Sequence, residues 1–342
     1  MILLTALLAL AACGSQEGQE SAPTERTIPP PPDVLVPQSV RYQRFDGQTV
    51  DLYAWEGRNV ALLTESNALD PEIVEFLLDG LDKAYDYYRS ASPRAPTPLE
   101  ATTYHGKATI AEVQSTCGAG CGYLGFTGIE IQSHYFDVLY NTAKDDGLYN
   151  HVPFYELGRN FWLYQDKLSY VAPDDITAVI TGFAVLMRSL SLERRDLPGG
   201  PVDSALSWDE FTQEWLSMAD TYIANSAYTW DNTLRIGRGV PGDRLNLSAA
   251  DLFAALLYET ARRYDPLPSE IQEGPDFFQR LWINVSHRPD RRSTQDALDN
   301  LILAACETVN RNLTGYFSTT LRWPISPAAL MEARQRFGNP VP

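Results

Sequence analysis

One change of hydrophobic period, near Ser133, constrains what this chain can fold into. Before it, apolar residues alternate in short runs broken by turn signals; after it they recur every three to four residues almost to the end. Tyr42 to Phe45 and Thr49 to Trp55 flank Asp46-Gly47, a strong hairpin signal, and Asn59 to Thr64 follows as an apolar strand. Asp70-Pro71-Glu72 opens a helix with cap, first-turn proline and acid in the favoured order, running to about Ser90. Leu99 to Tyr104 and Ala108 to Gln114 read as strands around His105-Gly106. Tyr123 to Gln132 reads as a glycine-punctuated strand, where backbone approaches something closely. Helices are expected near 134–143, 152–166, 174–190, 208–225, 249–264, 275–286, 293–314 and 327–337. Ser207-x-x-Glu210 is a capping box and Ser248-x-x-Asp251 a close relative. Strands and one helix, then a run of helices, describe an α+β body with a mainly helical C-terminal subdomain.

The 342 residues suffice for one or two full cores. A formal charge of −17 excludes nucleic acid as a partner, since phosphates would be repelled. Met1 to Ala12 is apolar and ends in Leu10-Ala11-Ala12-Cys13-Gly14, which resembles a bacterial lipobox. The segment is too short to span a bilayer and reads as a lipoprotein signal, with Cys13 lipidated. A Pro-rich tether over 13–38 follows, then subdomains expected at 39–190 and 191–342. The expected location is therefore the bacterial cell envelope, with a lipid anchor on the membrane. Cys117-Gly118-Ala119-Gly120-Cys121 is spaced for a small disulfide; a metal half-site is the rival reading, but the histidines, His105, His134, His151 and His287, are scattered. Cys306 falls in an apolar helical spacing and reads as a core thiol.

The stretch Asn150 to Trp162 organises the rest. As a helix capped by Asn150 with Pro153 in its first turn, it stacks Tyr155, Gly158, Arg159 and Trp162 on one face. Tyr155-Glu156-Leu157-Gly158-Arg159 fits the frame of His-Glu-x-x-His, in which two imidazoles one turn apart hold zinc and the Glu polarises its water. Here the Glu remains and both imidazoles are replaced. An arginine, always protonated, puts a fixed positive charge where the dication would sit.

Thr181-Gly182-Phe183-Ala184 stands 22 residues beyond Arg159, and the segment Asp299 to Ser326 holds Asn312-Leu313-Thr314-Gly315-Tyr316-Phe317 and Trp323-Pro324-Ile325-Ser326. These pieces resemble the gluzincin zinc metallopeptidases, nearest to the enhancin-like, mucin-degrading ones, with Thr181 where those have the Glu that is the third metal ligand. The resemblance covers about residues 59 to 330. It implies a small mixed β-sheet with a backing helix and an active-site-type helix. It implies no intact metal site, because Tyr155, Arg159 and Thr181 occupy the three ligand positions, and no cofactor is expected.

Glu156 is then either a buried carboxylate paired with Arg159 or the general base of an enzyme with unconventional metal ligands. His151, near the same face, is the candidate rescue ligand, with Asp174, Asp175 or Glu130. Gly158 would leave space above the helix, in which Tyr155 and Arg159 would hold a carboxylate or a sugar hydroxyl, with Thr181 and His151 beside them. A thiol hydrolase built on Cys121 with His134 or His151 is a weaker reading. Trp162, Tyr164, Trp208, Trp215 and Trp230 line either a carbohydrate cleft or the core. The expected function is a pseudopeptidase that binds a peptide, glycopeptide, glycan or envelope partner, with the active metallopeptidase as alternative.

Overall fold

The Asp46-Gly47 turn, with Gly47 in the left-handed region, joins β1 (Gln38–Gln43) to β2 (Thr49–Glu56) as an antiparallel hairpin. β2 pairs antiparallel with β3 (Val60–Thr64). Helix α1 (Pro71–Ser90), capped by Asp70, then separates β3 from the short β4 (Thr103–Tyr104) and from β5 (Lys107–Val113). That crossover makes β3 and β5 parallel. β6 (Gly120–Gly122) runs antiparallel to β7 (Ile129–Gln132), itself parallel to β5. The sheet order is β1-β2-β3-β5-β7-β6, with β4 beside β5. The computed structural model describes residues 35–202, 206–265 and 275–342. The lipobox-like segment, Cys13 and almost all of the expected tether lie outside them.

Alternation along β3 assigns the two faces of the sheet. Val60 and Leu62 face the helices and the main core, whereas Ala61 and Leu63 join Tyr42, Leu52, Ala111 and Val113 in a separate apolar cluster. From β7 onward the chain is helical: α2 (Ser133–Asp146), α3 (Val152–Asn160), α4 (Gln165–Leu168), α5 (Thr177–Arg194), α6 (Trp208–Ala224), α7 (Ala249–Tyr264), α8 (Phe277–Ser286), α9 (Thr294–Val309) and α10 (Pro327–Phe337). Both capping boxes expected from sequence form, at Ser207 and Ser248. The boundary expected near residue 190 falls inside α5, a largely buried helix that lies against both α3 and α7. Among the described residues, no helix is long and apolar enough to cross a membrane.

Five elements differ from the sequence reading, the first being the strand expected over Tyr42 to Phe45, which lies at Gln38–Gln43. Leu99 to Tyr104 is mostly a 3-10 turn (Glu100–Thr102), because the Thr102 hydroxyl donates to the Thr127 carbonyl at 2.7 Å and ties this segment to a loop instead of a ladder. Tyr123 to Gln132 is a strand only from Ile129, since Gly125 and Gly128 take positive φ angles and break it; the strand missed is Gly120–Gly122. The helix expected over 152–166 stops at Asn160, whose side-chain amide donates to the carbonyls of Tyr123 and Gly128. The helix expected over 293–314 ends at Val309, where Asn310 adopts the left-handed conformation.

Candidate functional site

Helix α3 is wedged between the edge strand β6 and helix α5. Asn150 supplies the capping bond, its Oδ1 accepting from the Val152 N–H at 3.0 Å, while His151 occupies the residue just before the helix. Gly158 meets α5 backbone to backbone: a Cβ there would lie 3.1 Å from Ala184 Cα. The space expected above Gly158 is therefore filled by α5, because a residue without a side chain lets two helices approach instead of leaving a gap. Trp162 meets Phe183 edge-on at 5.3 Å, and Arg188 lies over Tyr155 and donates to His151 Nδ1 at 3.2 Å. This order of partners shows that α3 and α5 run in opposite senses. Thr181, half-buried, lies three residues before Ala184 on α5.

On its other side α3 carries Glu156, which is 5% exposed. Gly120 and Gly122 of β6 close over it. A Cβ on Gly120 would lie 2.9 Å from Glu156 Cγ, and one on Gly122 would lie 2.7 Å from the Glu156 carbonyl oxygen. The strand therefore needs glycine at both positions to reach the helix. Arg159 Nε stands 3.5 Å from Glu156 Oε2 and donates to the Gly122 carbonyl at 3.2 Å. Glu156 Oε2 is buried without a hydrogen-bond partner. Burial pushes the Glu156 carboxyl up to about 7, with Arg159 and the Gly122 backbone pulling the other way. Among the described residues, neither the Tyr155 hydroxyl nor the Arg159 Nη groups have a hydrogen-bond partner, and both side chains are partly exposed.

The residues do not fit a zinc ion. The seats at 155, 159 and 181 offer a phenol, a guanidinium and a hydroxyl, and the one carboxylate nearby already faces the guanidinium. The rescue set is dispersed. Glu130 accepts from Phe45 N, Tyr42 and Thr116; Asp174 pairs with Arg235; Asp175 bonds Thr177; His151 meets Arg188, and burial with that cation pushes its pKa down to about 3. Among the described residues no group of three or more His, Cys, Asp and Glu side chains is arranged to hold a metal ion. Cys117 and Cys121 are disulfide-bonded, which leaves neither a metal half-site nor a free Cys121 thiol, and Cys306 is a buried thiol that accepts from Leu313 N. Trp162, Tyr164, Trp215 and Trp230 are at most 4% exposed and belong to the core; Trp208 is only partly covered.

Sequence reasoning missed Arg188. Its guanidinium is buried among the rings of Tyr155, Trp208 and Phe211, at 5.9, 5.3 and 5.2 Å, with Nε and Nη2 lacking partners. The available signal was one arginine as the only charged residue in the mostly apolar run Phe183 to Leu192. Gly120 and Gly122 were also missed as the residues that seal Glu156.

No protein-family profile matches the sequence, and no curated protein does. Among solved structures the chain is similar to a functionally unknown conserved protein from Bacillus anthracis str. Ames, with a TM-score of 0.53 and 12% identity, covering 84% of this chain and 52% of that one. It is also similar to the M60 catalytic domain of Clostridium perfringens ZmpC, solved in complex with the sialyl T antigen, with a TM-score of 0.46 and 12% identity, covering 87% and 51%. The chain thus spans about half the length of each. At this identity the first likeness shows the α+β fold alone.

Proposed function

We propose that this chain is a metallopeptidase-like scaffold that binds a peptide or glycan chain without cutting it, held at a bacterial envelope membrane by a lipid on Cys13. The observation that carries the reading is the Arg159 guanidinium beside Glu156, 3.5 Å away, on the helix face where a metal ligand and its ion would otherwise be. A fixed cation there meets the charge demand of the buried carboxylate and leaves no donor set for zinc. What remains open to a ligand is the partly exposed edge of Arg159 with the Tyr155 hydroxyl one turn away. A guanidinium fork and a phenol suit a carboxylate or a sugar hydroxyl.

The test uses a peptide array and a glycan array probed with the soluble domain and with a Glu156→Gln/Arg159→Ala variant, which removes the guanidinium without stranding a buried charge. Captured ligands that the variant loses support the reading. Equal capture by both proteins, or stoichiometric zinc that a chelator removes together with a hydrolytic activity, overturns it. The lipid is tested apart from the cleft: Cys13→Ser should abolish labelling by an alkyne fatty acid in cells.

A further inference from the structure

We propose a second binding site, for a short peptide segment bearing lysine or arginine, in a groove on the helical half of the molecule. The groove has a volume of about 710 Å³ and lies between the end of α5, the connection that follows it, the first turns of α6 and Tyr258 of α7. That size falls within the range of about 300–1,000 Å³ usual for ligand sites. Its lining contains Glu193, Asp196 and Asp209 and no lysine or arginine. Glu193 is partly compensated, by the Tyr258 hydroxyl at 3.1 Å and by Arg194 at 3.8 Å. Asp196 and Asp209 are exposed, and among the described residues neither carboxylate has an ion-pair partner. Carboxylates of one sign around a concavity favour a cation.

A second observation narrows the class. Trp215 is 1% exposed, and its indole N–H has no acceptor; the buried Thr212 hydroxyl has no partner either, and both residues line the groove. Buried donors without partners call for an acceptor. A simple polyamine answers the carboxylates but brings no acceptor. A neutral sugar brings acceptors but no charge. A basic peptide brings both, ammonium or guanidinium groups for the acidic rim and backbone carbonyls for Thr212 and Trp215, with the Trp208 and Tyr258 rings for its methylenes.

The experiment is calorimetric titration of the protein with acetyl-tetralysine-amide, and with spermine as a probe of the same charge that lacks carbonyls. The peptide is expected to bind with an affinity that falls as salt rises. Asp196→Asn/Asp209→Asn should weaken it about tenfold or more, whereas Asp145→Asn/Asp146→Asn, which removes the same charge from exposed positions on α2, should leave it within about twofold. Asparagine tolerates the positive φ of Asp196, so the groove variant retains its fold. Thr212→Val should cost a further few-fold for the peptide and nothing for spermine. Absence of peptide binding, equal losses in the two double variants, or spermine binding as tightly as the peptide would each overturn the proposal. Because Tyr155 and Arg159 are untouched by these variants, the result is independent of the cleft described above.

Discussion

Arg159 Nε stands 3.5 Å from Glu156 Oε2 and 3.2 Å from the carbonyl oxygen of Gly122, so one edge of a guanidinium serves both a buried carboxylate and an edge strand. The attraction does not fully offset burial, and the Glu156 carboxyl is pushed from 4.5 up to about 7. Between those values the folded protein holds a proton that the unfolded chain has released. Its stability contribution therefore falls as pH rises from about 4.5 to 7. Glu156→Gln removes this dependence. In urea melts, the variant should gain on wild type by up to ~3 kcal/mol between pH 4.5 and pH 8, an order-of-magnitude figure from the linkage relation. A difference that stays flat across that range would show that the carboxyl titrates normally.

Removing the cation instead should hurt. Arg159→Ala leaves Glu156 buried and uncompensated and frees the Gly122 carbonyl. Breaking a fully buried pair costs about 3–5 kcal/mol, and because a quarter of the Arg159 side chain is exposed, a loss of ~2 kcal/mol at pH 8 is expected. Adding Glu156→Gln should restore most of it. A double-mutant cycle by chemical denaturation measures the coupling, and additive losses would mean that the two side chains do not interact.

The seal over Glu156 depends on a strand without side chains. Gly122→Ala would put a Cβ 2.7 Å from the Glu156 carbonyl oxygen, a backbone atom that cannot swing aside. Overpacking of this kind costs about 1–3 kcal/mol, and here it should also lift β6 off α3. Hydrogen exchange should then speed up at the amides of β6 and of Gly125, whose N–H donates to the Arg159 carbonyl, while α7 and α9 keep their protection. Unchanged exchange at β6 would mean that the strand and helix are not in contact in solution.

How much of this was legible follows from the range of each interaction. The Asp46-Gly47 hairpin, the Asp70 cap and the Ser207 and Ser248 capping boxes are local, written within a few residues, and they read correctly. The pairing of Glu156 with Arg159 was also legible, being a spacing on one helix. Gly120 and Gly122 were not, because what makes them necessary is a helix more than thirty residues downstream. Gly158 was misread for the same reason. A glycine marks close approach, and only the partner, Ala184, tells whether helix or ligand approaches.

Arg188 is a buried charge without a direct ion pair among the described residues, favoured by the Asp251 carboxylate only from beyond ion-pair distance. It is 6% exposed, burial holds its pKa below the ordinary value, and its nearest company is three aromatic rings and the Nδ1 of His151. Three ring faces at 5.2 to 5.9 Å give cation–π attraction, though full desolvation of a guanidinium outweighs it. Arg188→Met, similar in length and free of charge, should therefore leave stability within ~1 kcal/mol of wild type or raise it. The same variant has a second consequence at His151. Its pKa, pushed down to about 3 by burial and by Arg188, should rise once the cation is gone, read from the imidazole resonances in an NMR titration. Because a depressed histidine pKa withdraws stability as pH falls from about 6.5 towards 3, the variant should also lose less stability in acid than wild type does. A His151 that titrates identically in both proteins would place the whole depression on burial and remove Arg188 from its account.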